Sequence, residues 1–81
     1  MTRTYQVCYF GLLADRRGLA EERVVSPATT PAGLYRILDA EHRLGLVIGD
    51  FRVAVNDEFV PWDHPLNDGD RIALLPPMSG G

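Results

Sequence analysis

The two most apolar short stretches of the sequence lie near its opposite ends. Residues 4–10 (TYQVCYF) are rich in β-branched and aromatic side chains, and residues 71–75 (RIALL) are mostly apolar. Both compositions are typical of strands, and a mostly apolar strand is typical of the middle of a sheet. The sequence therefore predicts that the first and last strands lie side by side at the sheet centre and run parallel.

One long helical stretch separates these two strands. Thr30 followed by Pro31 is typical of a helix start, because the hydroxyl caps free N–H groups and proline fits the first helical position. Apolar residues then recur at helical spacing and predict a buried face. Those positions are Leu34, Ile37, Leu38 and Ala40. Gly45 is the predicted C-cap, and the helix is expected to form the crossover between the parallel strands.

The remaining predicted elements are short and are bounded by turn-forming residues. They are helical turns at residues 12–17 ended by Gly18, a strand at residues 22–26 antiparallel to the first, and a hairpin of residues 51–55 and 58–60 that turns at Asn56 and Asp57. Strands grouped around one long helix predict the α+β class, with the helix packed on one face of a mixed sheet. That arrangement is the β-grasp fold.

Length and composition predict a single small domain that works in the cytoplasm. The chain has 81 residues, without repeats or a linker, and no apolar run near the roughly 20 residues that cross a bilayer. We see no signal-peptide pattern, and the lone Cys8 cannot form an internal disulfide, which is typical of a reducing compartment. A net charge of −3 argues against nucleic acid and anionic membranes as partners.

The last third of the chain is acidic. From residue 53 onward the only base is Arg71, and the acids are Asp57, Glu58, Asp63, Asp68 and Asp70. One interpretation is that these acids are solvated turn residues. The other is that they form a negative face around the C-terminus that steers a basic partner.

No catalytic or metal-binding arrangement is recognisable in the body of the sequence. Cys8 lies within a predicted strand, which favours a buried structural thiol over a nucleophile. His42 and His64 lack the spacing of metal ligands, and there is no glycine-rich phosphate loop or calcium loop. Trp62 is expected to pack rather than to bind a ligand. We therefore predict no metal site and no bound cofactor in the domain.

The ending LLPPMSGG divides the chain into a domain of residues 1–75 and a tail of residues 76–81. Pro76 and Pro77 stiffen the base of this tail, and Gly80 and Gly81 leave its tip thin. Six extended residues reach about 20 Å, enough to deliver a terminal carboxylate into the pocket of another protein. A carboxylate joined to AMP becomes an acyl group that an amine or a sulfur nucleophile attacks. The chemistry is therefore expected at the tip of the tail.

The sequence also resembles a known family over nearly its whole length. The stretches VCYFGLLADRRG, TTPAGLYRIL and RVAVNDEFVPWDHPLNDGDRIALLPPMSGG are similar to the MoaD/ThiS family of ubiquitin-like sulfur carriers. The most specific part, AVN followed by DHPLNDGDRIALLPPMSGG, resembles the MoaD-type small subunits of molybdopterin synthase. An aromatic residue is common before the two prolines in that family, and Leu75 takes this place here.

The resemblance implies that the chain is a sulfur donor and not an enzyme on its own. An E1-like adenylyltransferase that uses ATP would adenylate Gly81, which would then become a C-terminal thiocarboxylate. The tail would enter the large catalytic subunit of molybdopterin synthase, in a heterotetramer of two small and two large subunits. There its sulfur would help convert cyclic pyranopterin monophosphate to the dithiolene of molybdopterin.

The resemblance further implies a set of residues that contact the large subunit. These are Phe10, Phe59, Leu75, Pro76, Pro77, Met78 and Ser79, with Gly80 next to the reacting Gly81. For Phe10 and Leu75 the alternative interpretation is an ordinary place in the hydrophobic core.

Two other functions remain open from the sequence. The chain could be a protein modifier joined through Gly81 to lysines of other proteins, although all eight of its own basic residues are arginines. It could also carry sulfur for thiamine or another sulfur metabolite.

Overall fold

The computed structural model describes residues 1–77. In chain order its elements are β1 (Arg3–Tyr9), α1 (Gly11–Arg17), β2 (Glu21–Ser26), α2 (Pro31–His42), β3 (Arg52–Val55), β4 (Glu58–Val60) and β5 (Arg71–Leu75). Every predicted strand and both predicted helical segments are present. The largest difference from the predicted boundaries is the end of α2.

The five strands form one mixed sheet in the order β2-β1-β5-β3-β4. β1 and β5 are parallel neighbours at its centre, where Val7 pairs with Ile72 and Tyr9 with Leu74. The other neighbouring pairs, β1 with β2, β3 with β5 and β3 with β4, are antiparallel. The predicted parallel pairing of the first and last strands is confirmed, and with it the β-grasp arrangement.

The predicted start of α2 is confirmed, but its predicted end is wrong. The Thr30 hydroxyl oxygen accepts a hydrogen bond of 3.1 Å from the Gly33 N–H, and Pro31 is the first helical residue. At the other end the C-cap is Arg43, not Gly45; Arg43 has φ of 54°, and its N–H donates to the Asp39 carbonyl. The Asp39 carboxylate then accepts from the Gly45 N–H at 2.7 Å, which stabilises the chain just beyond the helix.

The buried face of α2 differs in part from the predicted one. Leu34 and Leu38 are buried as predicted, whereas Ala40 is exposed and Tyr35 is buried in its place. The Tyr35 hydroxyl donates to the Leu46 carbonyl and accepts from the Leu46 N–H, so this large side chain is satisfied inside the core. Neither helix of residues 1–77 has the length and apolar composition needed to span a membrane.

The sheet has a covered face and an open face. Side chains alternate along each strand, and the inward ones, such as Val7, Val53 and Ile72, share one buried cluster with α2. The strand register places the opposite set on the face away from α2. A row across this open face consists of Phe59, Ala54, Ala73, Cys8 and Glu21.

Candidate functional site

An apolar groove lies where β5 ends and the tail begins. It has a volume of about 530 Å³ and brings together the five predicted contact residues that the structure describes, Phe10, Phe59, Leu75, Pro76 and Pro77. The remaining residues around it are Gly11, Leu12, Gly49, Asp50, Phe51 and Arg52. We call this site the tail-root groove. Phe10 and Pro77, which are 67 positions apart in the sequence, thus line the same groove.

The side chains around the groove are unusually exposed for their size. Phe10 is 46% exposed, Leu12 is 44% exposed and Phe59 is 64% exposed. The core interpretation of Phe10 is therefore wrong, while Leu75 is half-buried and borders the groove from the end of β5. Large apolar side chains left in water next to one another are typical of a surface that a protein partner covers.

One wall of the groove is set by the turn between β1 and α1. Phe10 is the residue before α1, and its carbonyl accepts hydrogen bonds from the N–H groups of Leu13 and Ala14. Gly11 begins the helix with φ of 52°, a left-handed conformation that glycine adopts without strain. This turn projects Phe10 and Leu12 towards solvent beside the tail root, while Leu13 is buried.

A hydrogen-bonded trio fixes α1 to the sheet below this wall. Arg17 donates two hydrogen bonds to the Glu22 carboxylate, at 2.8 and 2.7 Å, and the Tyr9 hydroxyl donates a third at 2.7 Å. The hydrogen bonds from Arg17 hold the pKa of Glu22 below its usual value. Burial, followed by the contact with Glu22, raises the pKa of Tyr9 well above its usual value. The trio joins α1, β2 and β1, so it stabilises the position of the groove wall.

The other wall is formed by the segment that leads into β3 and by β4. The guanidinium carbon of Arg52 lies 5.3 Å from the centroid of the Phe59 ring. Behind them Phe51 packs edge-on against Trp62 and Tyr35, with ring centroids 4.9 Å away in each case. The predicted packing role of Trp62 is confirmed by these contacts.

Four of the predicted site residues lie outside the described part of the chain. They are Met78, Ser79, Gly80 and Gly81. Their assignments as contact residues and as the reacting end of the tail stay predictions.

The interpretation of the late acids as a negative face around the tail is wrong for Asp57, Asp68 and Asp70, which lie away from the root of the tail. Leu75, at the root of the tail, pairs with Arg52, whereas the β3–β4 turn with Asp57 lies at the opposite end of these strands. Asp68 and Asp70 precede β5, also at that far end. The interpretation as a solvated turn residue holds for Asp68, which is exposed and accepts from the Thr4 N–H. Asp70 also lies in a turn, but it is buried and accepts from Asn56 and Asn67.

The cysteine and the two histidines of the chain do not form a catalytic or metal site in the described residues. Cys8 is buried, and its burial raises the pKa of the thiol, which is unfavourable for a nucleophile. His42 neighbours Glu41 at 3.6 Å at the end of α2, and His64 lies in the loop before β5. Within residues 1–77 no three His, Cys, Asp or Glu side chains are grouped as metal ligands would be.

Comparison with known proteins agrees with this geometry. The ThiS family matches residues 7–81, which include both walls of the groove and the whole tail. The chain belongs to the ThiS family. The resemblance to the MoaD/ThiS carriers is thereby confirmed.

Two relatives of this ThiS-family chain carry the same name. The molybdopterin synthase sulfur carrier subunit of Escherichia coli is 33% identical over 79 residues, with 94% of this chain and 98% of the relative covered. The molybdopterin synthase sulfur carrier subunit of Chlamydomonas reinhardtii is 35% identical over 80 residues, with 94% and 96% covered. The match thus extends over nearly the full length of both relatives.

Solved structures similar to this ThiS-family chain share its β-grasp fold. A putative molybdopterin converting factor subunit 1 of Pyrococcus furiosus has a TM-score of 0.82 and 28% identity, covering 94% of this chain and 99% of the other. SAMP1 of Haloferax volcanii has a TM-score of 0.78 and 26% identity, covering 96% and 99%. A complex of subunits 1 and 2 of the molybdopterin-converting factor of Helicobacter pylori matches with a TM-score of 0.65 and 33% identity, covering 96% and 99%.

Some residues of the groove in this ThiS-family chain were not predicted from the sequence. Leu12 was assigned only to a helical turn, and Arg52 only to an alternating strand. The alternation of FRVAV was a signal for Arg52, because it places that side chain on the face opposite the buried Val53 and Val55. For Leu12 the sequence held no decisive signal, because neighbouring helical residues can both be buried, as Leu34 and Tyr35 are in α2.

Proposed function

We propose that this chain is the sulfur carrier subunit of molybdopterin synthase and acts in molybdenum cofactor biosynthesis. The observation that carries the proposal is the tail-root groove, where exposed apolar side chains surround the base of a Gly-Gly tail. Membership of the ThiS family and the names of the two full-length relatives support the same role.

The chemistry begins at the Gly81 carboxylate, which is unreactive as an anion. Its oxygen attacks the α-phosphate of ATP on an E1-like adenylyltransferase and releases pyrophosphate, which leaves an acyl-adenylate. Hydrosulfide then attacks the acyl carbon and displaces AMP, so that Gly81 ends in a thiocarboxylate. The thiocarboxylate sulfur attacks cyclic pyranopterin monophosphate, and hydrolysis of the resulting thioester leaves the sulfur on the pterin and returns the Gly81 carboxylate. Two loaded carriers acting in turn supply the two sulfurs of the molybdopterin dithiolene.

The proposal assigns different roles to the two subunits. The carrier supplies the sulfur and the docking surface, and the large subunit supplies the pterin site and the acid and base groups. Phe10, Phe59, Leu75, Pro76 and Pro77 hold the large subunit around the groove, while Met78 and Ser79 enter it with the tail. Two carriers and two large subunits form the cytoplasmic heterotetramer. The carrier itself binds no cofactor, and ATP is bound by the activating partner.

The proposal is tested by mass spectrometry of the carrier. After incubation with the activating enzyme, ATP and a sulfur source, replacement of one oxygen by sulfur should raise the mass by about 16 Da. The loaded carrier should then form molybdopterin when it is mixed with the large subunit. A chain that lacks Gly81 is the control and should stay unloaded. As a positive control, the activating enzyme must load a carrier that it is known to activate. If that control succeeds and the mass of this chain stays unchanged, the proposal is rejected.

A protein-modifier function is the second candidate, and the fold similarity to SAMP1 of Haloferax volcanii favours it. In that case the activated Gly81 would form an amide with a lysine of another protein. Blots of cell extract should then contain bands larger than the free chain, and the Gly81 deletion should remove them. Thiamine sulfur transfer, the third possibility, is separated by gene deletion, which would create a thiamine requirement instead of a loss of molybdoenzyme activity.

A further inference from the structure

The open face of the sheet is basic, although the chain as a whole is acidic. The exposed residues Arg23, Arg52 and Arg71 all project from strand positions of this face, and Glu21 is the only acid among those positions. The whole chain nevertheless carries a net charge of −3. Positive charge is therefore concentrated on the face that continues from the tail-root groove.

These three arginines have no acidic partner in the described part of the chain. Within residues 1–77 the ion pairs shorter than 4 Å are Arg17 with Glu22 and His42 with Glu41. Asp50 lines the same groove as Arg52, yet the two do not form such a pair. Arginine charges that their own domain leaves unpaired are available to carboxylates of another protein.

Arg52 connects the open face to the groove. It pairs with Leu75 across β3 and β5, and its guanidinium lies over the exposed Phe59 ring at 5.3 Å. The ring restrains the guanidinium without neutralising its charge, since the attraction comes from the ring quadrupole. A planar guanidinium held in this way is prepared to bind a carboxylate with two hydrogen bonds.

The surface between Arg52 and Arg71 is shallow enough for a partner to approach. The side chains at the centre of the open face are small, namely Ala54, Ala73 and Cys8. Phe59 rises at one end of this row and Glu21 at the other. A protein surface laid against the row would meet apolar contacts from the groove and positive charge from both arginines.

We propose that this basic open face binds a carboxylate-bearing surface of the large subunit of molybdopterin synthase, with Arg52 and Arg71 as its specificity determinants. The inference rests on the proposed function and deepens it by naming the charge that the partner must present. The groove supplies the apolar contact. The arginines speed the encounter and set the orientation in which the tail meets the partner.

The test is the association rate with the large subunit encoded by the same genome, measured at low and high salt. Arg52→Glu and Arg71→Glu should each slow association about tenfold at low salt, and the difference should shrink at high salt because ions screen the attraction. Arg36→Glu is the matched control, since Arg36 is exposed on α2, on the far side of the sheet. It makes the same change in net charge and should associate within about twofold of the unaltered chain.

Several outcomes would overturn the inference. Equal rates for all three variants would do so, and so would association of the unaltered chain that does not change with salt. Arg52→Gln and Arg71→Gln, with a thermal melt for each, separate loss of charge from loss of fold. If one of these overturning outcomes is found but the unaltered chain still acquires its thiocarboxylate and binds the large subunit, only the proposal about the basic face is rejected. If the unaltered chain does neither, the proposed function is rejected as well.

Discussion

Gly11 at the start of α1 lies directly against Pro76, the first residue after β5. A Cβ built on Gly11 would be 3.5 Å from the Cγ atom of Pro76. The turn between β1 and α1 therefore lies close to the side chain of the first tail residue. Because Gly11 also has φ of 52°, this contact depends on a conformation that other residues adopt only with strain.

We expect Gly11→Ala to lower the free energy of unfolding by about 1 kcal/mol or more, because a Cβ is strained in the left-handed region. Chemical denaturation would measure the change. Gly33→Ala is the matched control. Gly33 is in α2, where alanine is favoured by up to about 1 kcal/mol. Its Cβ would lie 3.4 Å from the Thr30 hydroxyl, close to ordinary contact. Equal destabilisation by both changes would contradict the role of the Gly11 backbone.

Phe59→Ala is expected to weaken binding of the large subunit while leaving the fold intact. The ring is largely in water in the free chain, so its removal leaves no cavity, but a partner that covers it loses a large apolar contact. The expected loss is about 2 kcal/mol, or about thirtyfold in Kd. Isothermal titration calorimetry with the large subunit would measure it, together with a thermal melt of the variant alone.

Val25→Ala provides the comparison for Phe59→Ala. Val25 and Phe59 have the same exposed fraction, 64%, but Val25 lies on β2 at the opposite edge of the sheet. We expect Val25→Ala to bind the large subunit as the unaltered chain does. A similar loss of affinity in both variants would argue that the partner covers the whole sheet and not the groove.

The trio of Arg17, Glu22 and Tyr9 predicts a loss of stability in acid. The pKa of Glu22 is lower in the folded chain than in the unfolded chain, so the stabilisation is complete above the unfolded pKa. As the pH falls through the folded pKa, the carboxylate binds a proton and this contribution is lost. Unfolding free energies measured across the acid range should therefore decrease with falling pH, and less steeply in Glu22→Gln.

At neutral pH, Glu22→Gln should destabilise the fold by about 1–2 kcal/mol, because the three charge-assisted hydrogen bonds to the carboxylate become weaker. The double variant with Arg17→Gln tests the pairing. If Arg17 acts through Glu22, the loss in the double variant will be smaller than the sum of the two single losses. Strict additivity would mean that the two side chains stabilise the fold independently.

Under the proposed function, in which Gly81 carries the sulfur, Cys8→Ala should leave sulfur transfer unchanged, because the thiol is buried on the sheet. Cys8 Sγ contacts Glu21 Oε2 at 3.7 Å and has a raised pKa because of its burial. The expected loss of stability is about 1 kcal/mol. Thiocarboxylate mass and the rate of molybdopterin formation are the measurements. A folded variant that loses transfer would make the thiol part of the sulfur route.

The architecture was predictable because its signals are local. Each of these signals depends only on residues that are neighbours in the sequence. They are the apolar composition of β1 and β5, the Thr30–Pro31 start of α2, and the turn at Asn56 and Asp57. Asn56 and Asp57 have φ of 50° and 72°, and a type I′ turn in a two-residue hairpin loop requires a positive φ at both positions. The end of α2 was less predictable, since Arg43 adopts a conformation usually left to glycine and Asp39 satisfies the backbone around it.

The candidate site was only partly predictable, because it depends on strand direction and register. Asp68 and Asp70 are close to Leu75 in the sequence, but a strand of five residues separates them from it in space. The exposure of Phe59 follows from the face on which β4 places its side chains, and that face is fixed by pairing with β3 and not by the residues next to Phe59. The exposure of Phe10 follows from the turn between β1 and α1.

The central position of β5 has a consequence for synthesis. The strand separates β1 and β2 from β3 and β4, so the sheet has no continuous centre until residues 71–75 are available. These residues pair with β1 at a sequence separation of 65, a long-range contact of the kind that slows folding. A nascent chain on the ribosome therefore cannot close the domain before nearly all of it has been made. Termination before residue 71 would therefore leave β1 and β2 unjoined to β3 and β4, and such an incomplete sheet would be open to proteolysis.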